Sequence, residues 1–185
     1  MDSMATERTL ILTIGHSNRT YDVLVEFLRS HQVARVVDVR SVPRSRHNPQ
    51  FNLETFPEEL KKVDIGYTHM PGLGGFRRPR PDSPNLGWRS GGFRGYADYM
   101  ATEEFEKNLD QLISLAREER VAILCAEANP FRCHRQLISD ALLVRGLQVE
   151  HILDRDRREA HRLTPWAELR GKTLIYPLAA REETT

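Results

Sequence analysis

Between residues 125 and 135 the chain reads CAEANPFRCHR, which places two cysteines, a glutamate, a histidine and two arginines around one Asn-Pro step. Each of these residue types brings its own chemistry. A cysteine close to a helix N-terminus and to arginines has its thiolate favoured, so Cys125 or Cys133 could serve as a nucleophile. Glu127 could act as a general acid or base, or simply pair with an arginine. His134, and His16 in the earlier IGHS stretch, could carry a proton near neutral pH. Arg132 and Arg135 bear the planar fork that clamps phosphate.

Ordinary roles compete with each of these. A cysteine at the end of a buried strand is more often packing than catalysis, and Cys133 on an inward helix face even more so. Glu127 with Arg135 makes a structural ion pair as readily as a catalytic one. Cys125, Cys133 and His134 fit neither the CxxC nor the HxxxH spacing of zinc sites, so no metal is expected. Cys125 and Arg132 stand seven positions apart with no glycine between them. That is not the six-position interval of a phosphatase-type anion loop, and any likeness to such a loop or to a rhodanese is architectural. GxxxxGK[ST] and GxGxxG are both absent, so no nucleotide cofactor is expected.

The flanking sequence supplies the elements that must hold these groups. VAILCAE (121–127) is the clearest buried strand, TLILTIG (9–15) and ARVVDVR (34–40) are two more, and VEHIL (149–153) is a fourth. Thr20 caps a helix with Val23, Leu24, Phe27 and Leu28 on its inner face. Phe105, Leu109, Leu112, Ile113 and Ala116 mark a second helix. A short helix near 53–62 and a weak strand near 65–69 lie between. Asn129 as cap and Pro130 as first helical residue predict a helix over 130–145 whose free N–H groups favour an anion. Its core face, Leu137, Ile138, Ala141 and Leu142, turns Cys133 and His134 inward.

Continuously apolar strands alternating with helices imply a single α/β domain, a mostly parallel sheet with helices on both faces. The domain is expected over 9–165, after a disordered 1–8 and before a tail (166–185) in which TLIYPL (173–178) is a candidate edge strand. Ligands of such sheets bind beyond the carboxyl ends of the strands. Three of the strands end there in unusual polar residues. The first runs into His16, Ser17, Asn18 and Arg19, the second delivers Asp38, Arg40, Arg44 and Ser45, and the strand at 121–127 delivers Cys125 and Glu127.

At 185 residues the chain can bury a sizeable core without disulfide or metal. No apolar run reaches the roughly 20 residues of a membrane helix, MDSMATER lacks the blocks of a signal peptide, and two free thiols suit a reducing compartment; a cytoplasmic protein is expected. The net charge of +1 hides an uneven distribution. Residues 71–95 carry Arg77, Arg78, Arg80, Arg89 and Arg94 against Asp82, while 102–119 is acidic. The Gly- and Pro-rich stretch 71–95 excludes a regular element. Its Phe76, Trp88 and Phe93 among arginines suit a loop that folds over a ligand.

Taken in order, IGHSNRT, DVRSVPRSRHNPQF, PGLGG, FRGYADYM, CAEANPFRCHR, VEHIL and the His161 of AHRLTPW resemble the family called domain of unknown function 488. The resemblance spans about 10–165 and implies a small α/β domain, without naming a reaction. The family's motif positions fall here on His16, Ser17, Asp38, Arg40, Pro43, Ser45, Cys125, Glu127, Cys133, His134 and Arg135.

Three functions are therefore open. The first is an enzyme for an anionic, phosphate-bearing small molecule or nucleic acid. There Glu127 and His134 (with His16 and Asp38) would do acid–base work, Cys125 would be a candidate nucleophile, and Ser17, Arg40, Arg44, Ser45, Arg132 and Arg135 would hold the anion. The second is a non-catalytic nucleic-acid-binding module built on the basic loop 71–95. The third is a thiol or sulfur-transfer enzyme built on Cys125.

Overall fold

The computed structural model describes residues 8–179. The expected disorder of 1–8 falls, except for Arg8, outside the described residues, as does the end of the tail.

Five strands run parallel: β1 (Leu10–Gly15), β2 (Arg35–Asp38), β3 (Gly66–His69), β4 (Val121–Cys125) and β5 (Gln148–Ile152). A sixth, β6 (Arg158–Ala160), is antiparallel to β5 and completes one sheet in the order β3-β2-β4-β1-β5-β6. The expected α/β domain with a mostly parallel sheet is what the chain forms. Successive side chains of a strand point to opposite faces, so each apolar run feeds two cores. Leu12, Ile14, Val36, Ala122 and Leu124 pack beneath α1 (Tyr21–Ser30) and α2 (Phe56–Lys61). Ile11, Val37, Val121, Ile123 and Val149 pack against α3 (Gly91–Tyr99), α4 (Glu103–Glu118) and α5 (Arg135–Leu143). Thr20 and Thr102 cap α1 and α4 by accepting the N–H of Val23 and Phe105, each at 3.2 Å.

This strand order decides where a crevice can open. The chain leaving β2 travels outward to β3, whereas the chain leaving β4 crosses β1 to reach β5. Connections from two neighbouring strands therefore diverge at their carboxyl ends, which leaves a gap above β2 and β4. Gly15 closes the other side. A Cβ there would lie 1.9 Å from the carbonyl oxygen of Glu127, so only glycine lets β1 end against that turn. The Cys125 carbonyl accepts the His16 N–H at 2.9 Å, and the Ala126 carbonyl accepts that of Ser17 at 2.8 Å.

Two expectations need correction. Residues 71–95 do contain a regular element, because α3 begins at Gly91 behind a Ser90 cap. Gly95 is needed inside that helix, since a Cβ would sit 2.1 Å from the Arg77 carbonyl. Nor is 130–145 one helix. Asn129 accepts the Phe131 N–H at 2.9 Å and Pro130 stands first, as predicted, but they open only a 3-10 turn (Pro130–Arg132). Cys133 is extended, and α5 starts two residues later.

The loop before α3 is fastened to the C-terminal segment. Trp88 packs against Phe93, Trp166 and Tyr176 with ring centroids 5.0, 5.1 and 5.2 Å apart. Asp98 accepts from Ser83, Asn85 and the Arg80 N–H. Residues 173–175 form β8, paired with β7 (Glu168–Arg170) in a separate hairpin. Beneath it Asp140, buried on α5, accepts four hydrogen bonds, from His161 Nε2, the Thr164 N–H, the Thr164 hydroxyl and the Tyr176 hydroxyl. Replacing Asp140 by Ala strands these donors and should lower the unfolding free energy by about 3 kcal/mol or more, read by urea denaturation. A loss under about 1 kcal/mol would show that the network is dispensable.

Candidate functional site

A pocket of about 240 Å³ occupies the gap above β2 and β4, lined by Arg40, Ser41, Gly75, Phe76, Cys125 and His134 among others. The Ser41 hydroxyl donates to the Gly75 carbonyl at 3.0 Å and ties its two rims together. Phe76 stands on the rim with a left-handed backbone (φ 58°) and 94% exposure. A larger cavity of about 500 Å³, bordered by α4, α5 and the β7–β8 hairpin, has no cysteine or histidine among its lining residues. Of the two, the smaller has a cysteine and a histidine in its walls.

On the β2 side the polar groups are committed to one another. Arg40 donates from Nε to Asp38 Oδ1 at 2.9 Å and from one terminal nitrogen to Oδ2 at 2.6 Å. That nitrogen also reaches the Phe51 carbonyl at 2.7 Å, and the Tyr67 hydroxyl donates to Asp38 at 2.6 Å. The other terminal nitrogen of Arg40 lies 3.2 Å from His16 Nε2, while His16 Nδ1 is 2.7 Å from the Ser17 carbonyl. A guanidinium only donates and a carbonyl only accepts, so His16 is neutral with its proton on Nδ1. Burial and the Arg40 charge push its pKa down to about 4.

On the β4 side the groups converge on sulfur. The sulfurs of Cys125 and Cys133 and one ring nitrogen of His134 all lie within 4.8 Å of one another. His134 Nε2 is 3.1 Å from the Val39 carbonyl, which requires a proton on that nitrogen and leaves Nδ1, 3.7 Å from the Cys133 sulfur, to exchange one with it. Cys133 is extended just ahead of α5, and its sulfur accepts the Arg135 N–H at 3.5 Å while its carbonyl accepts that of Gln136. The sulfur thus occupies the positive end of α5. The neighbouring Cys125 thiol, with His134 and Arg135, favours its ionised form, so against the opposing effect of burial its pKa is held well below that of a free thiol. Cys125 is pushed up by its contact with Cys133 and by burial.

Arg135 explains why a negative sulfur belongs here. Its side chain is 1% exposed. It donates to the Thr13 hydroxyl at 3.2 Å and to the carbonyls of Glu127 and Ala128, and none of these hydrogen bonds reaches a carboxylate. A buried charge needs a counter-charge, and the Cys133 sulfur, which accepts the Arg135 N–H, is placed to carry one when ionised. From Arg135 a chain of hydrogen bonds runs inward. Thr13 Oγ1 is 2.6 Å from His151 Nδ1, His151 Nε2 is 2.9 Å from His161 Nδ1, and His161 Nε2 is 2.7 Å from Asp140. Burial, with the neighbouring His161 and Arg135, keeps His151 neutral.

The structure therefore gathers Cys125, Cys133, His134, Arg40, Asp38, His16 and Arg135 at adjoining strand ends. Other predicted residues do something else. The Glu127 carboxylate is exposed and accepts the Asn129 N–H at 3.0 Å; Arg135 bonds the Glu127 carbonyl rather than that carboxylate. Arg44 pairs with Glu54 at 2.6 Å on the surface, and Arg132 is exposed. Ser45 accepts the N–H groups of His47 and Asn48 and shapes its own loop, and Ser17, left-handed at φ 49°, turns the chain after β1. Pro130–Arg132 is a single turn, so the helix end expected there does not exist, and the end that does exist points at Cys133. Among the described residues, Cys125, Cys133 and His134 are the group that could hold a metal ion; adjacency in sequence does not prevent this, because Cys133 lies outside the helix. Reading the sequence missed Thr13, His151 and Asp140. A threonine in an apolar strand and an aspartate among LIS-ALL were the available signals.

Burial of neutral His16 and His151 makes stability depend on pH. The ordinary histidine value is 6.5, while His16 titrates at about 4 and His151, lowered by burial and by His161 and Arg135, at about 3. The unfolded chain takes up these protons first, so stability present above pH 6.5 is lost as pH falls toward 4. Urea unfolding near pH 5 should show a loss of roughly 2 kcal/mol per histidine relative to neutral pH. His16→Gln and His151→Gln should each remove their share of that slope, and a flat profile in the parent chain would contradict the assigned tautomers.

Comparison with known proteins adds one finding. A family model described as domain of unknown function DUF488 matches residues 20–142 of the 185. Neither a curated protein nor a solved structure matches the chain. The matched span includes β2, β4, both cysteines, His134 and most of α5, and the chain belongs to the DUF488 family.

Proposed function

We propose that this chain is an enzyme that works by thiol chemistry, with Cys125 as the nucleophile at the floor of the pocket above β2 and β4. The observation that carries this reading is the convergence of two sulfurs and the His134 imidazole within 4.8 Å beside that pocket. The two thiols titrate as a unit, with ionisation favoured at Cys133. When a ligand reaches Cys125, the Cys133 proton moves to His134 Nδ1 and the Cys125 proton to Cys133, so that the charge appears on Cys125, which lines the pocket. His134 Nδ1 then holds the proton for the leaving group. Arg40, neutralised by Asp38, is a wall that fixes the β2 rim rather than a free anion clamp.

The substrate is small, or presents one narrow end, because about 240 Å³ lies below the usual range of ligand pockets. Arg46, Arg78 and Arg132 are exposed on the segments that carry the rim residues and Cys133, which favours a substrate bearing negative charge. Glu127, turned to solvent, has no part in the chemistry. A nucleic-acid platform on 71–95 finds less support, since Trp88 and Phe93 pack into the core and only Phe76 offers a free ring.

Iodoacetamide should alkylate the folded chain at Cys125, with a rate profile that rises below the ordinary thiol range near pH 8.5. Cys125→Ser should abolish labelling at that position, and His134→Ala should slow it by about 10²-fold. A folded chain in which both thiols resist the reagent would exclude the proposal.

A further inference from the structure

Cys125 and Cys133 are both free, yet they are mounted differently. Cys125 ends a strand paired on both sides, at Gly15 of β1 and, one residue earlier, at Asp38 of β2. Cys133 sits on a short extended step between a 3-10 turn and α5, and the connection leading to it, 126–129, is exposed. Their sulfurs lie within 4.8 Å, so a bond of about 2.05 Å needs them to close by less than about 3 Å, within reach of side-chain rotation and a small shift of that connection. Cys125 is among the residues that line the pocket, and Cys133 is not.

We infer that Cys125 and Cys133 form an attacking and resolving pair that exchanges with a small disulfide and closes a reversible internal disulfide. This rests on the thiol reading above and adds its substrate class: a low-molecular-weight disulfide, negatively charged to suit the exposed arginines. The Cys125 thiolate attacks one sulfur of the substrate; the Cys125–substrate bond forms, the substrate's own S–S bond breaks, and the first half leaves as a thiolate. The Cys133 thiolate then attacks the Cys125 sulfur. The internal disulfide forms, the mixed disulfide breaks, and the second half leaves. The two protons that began on the cysteines, one of them held meanwhile at His134, end on the departing thiols. The protein dithiol is oxidised by two electrons and the substrate disulfide is reduced to two thiols.

The test uses the full chain, glutathione disulfide as an acidic probe and cystamine as a cationic one, with intact-mass and peptide mapping. In excess glutathione disulfide the parent chain should lose two hydrogens and retain no glutathione, with Cys125 and Cys133 in one cross-linked peptide. Cys133→Ser and Cys133→Ala should each accumulate a glutathione adduct on Cys125, and Cys125→Ser should form no internal bond. Glutathione disulfide should react at least several-fold faster than cystamine at low salt, and the gap should shrink as salt is added. A stable Cys125 adduct in the parent chain, or a purified chain carrying one thiophilic metal ion per two sulfurs, would overturn the inference. If iodoacetamide labels Cys125 but no internal disulfide forms, the paired mechanism fails while the thiol reading stands; if Cys125 is inert to both reagents, both fail.

Discussion

The guanidinium of Arg135 is the interaction on which the rest of the site depends. It is buried, permanently charged and hydrogen-bonded only to a hydroxyl and two carbonyls. Those bonds join the middle of β1 to the turn after β4 and hold that turn over Gly15. They also leave a positive charge in the interior that no carboxylate bonds. Two consequences follow from this one placement. The turn is fixed, so Cys125 and the start of α5 are fixed with it. The local field is positive, so a sulfur at the helix end gains by being ionised. The shape of the site and its electrostatics share a cause.

Strand order supplies the complementary constraint. With β4 inserted between β2 and β1, the polar ends of β2 and β4 become neighbours at the only kind of point where an open parallel sheet leaves space. The β2 end is then made electrically quiet. Asp38 answers Arg40, and His16 is held neutral between Arg40 and its own chain. The β4 end has no such cancellation. Two arginines thus stand in one small region with opposite roles, and their hydrogen-bond partners, not their residue type, decide which is structural wall and which is a source of field.

Much of the scaffold was legible in the sequence because it follows from short-range rules. Continuous apolar runs announced β1, β2, β4 and β5, and Thr20 announced α1. The strand-end rule brought His16, Asp38, Arg40 and Cys125 to one rim. What escaped depends on tertiary contacts that no local pattern encodes. Asn129 and Pro130 have the right capping chemistry, yet the helix restarts at Arg135, where the Arg135 side chain turns inward to Thr13 and its N–H is taken by the Cys133 sulfur. Glu127 looked catalytic from its neighbours, but the turn exposes its carboxylate and uses its carbonyl instead. The glycines of 91–95 suggested loop because propensity disfavours them in helices; close approach of the Arg77 carbonyl requires one of them there.

The same buried charge bears on which redox form of the cysteine pair the fold prefers. In the reduced form the Cys133 sulfur accepts the Arg135 N–H, and its ionisation is favoured by Cys125, His134 and the Arg135 charge. Joining the two sulfurs removes that negative charge while Arg135 stays in place, with no carboxylate among its hydrogen-bond partners to take over. The proposed disulfide would therefore lose a charge pairing open to the reduced state, and a disulfide whose reduced form is specially stabilised is an oxidising one. Its sulfurs are under pressure to return to thiols, which favours passing the bond on over storing it. A structural disulfide has the opposite requirement, a neutral and apolar setting in which neither thiolate is welcome. The setting built around Arg135 suits a pair that turns over.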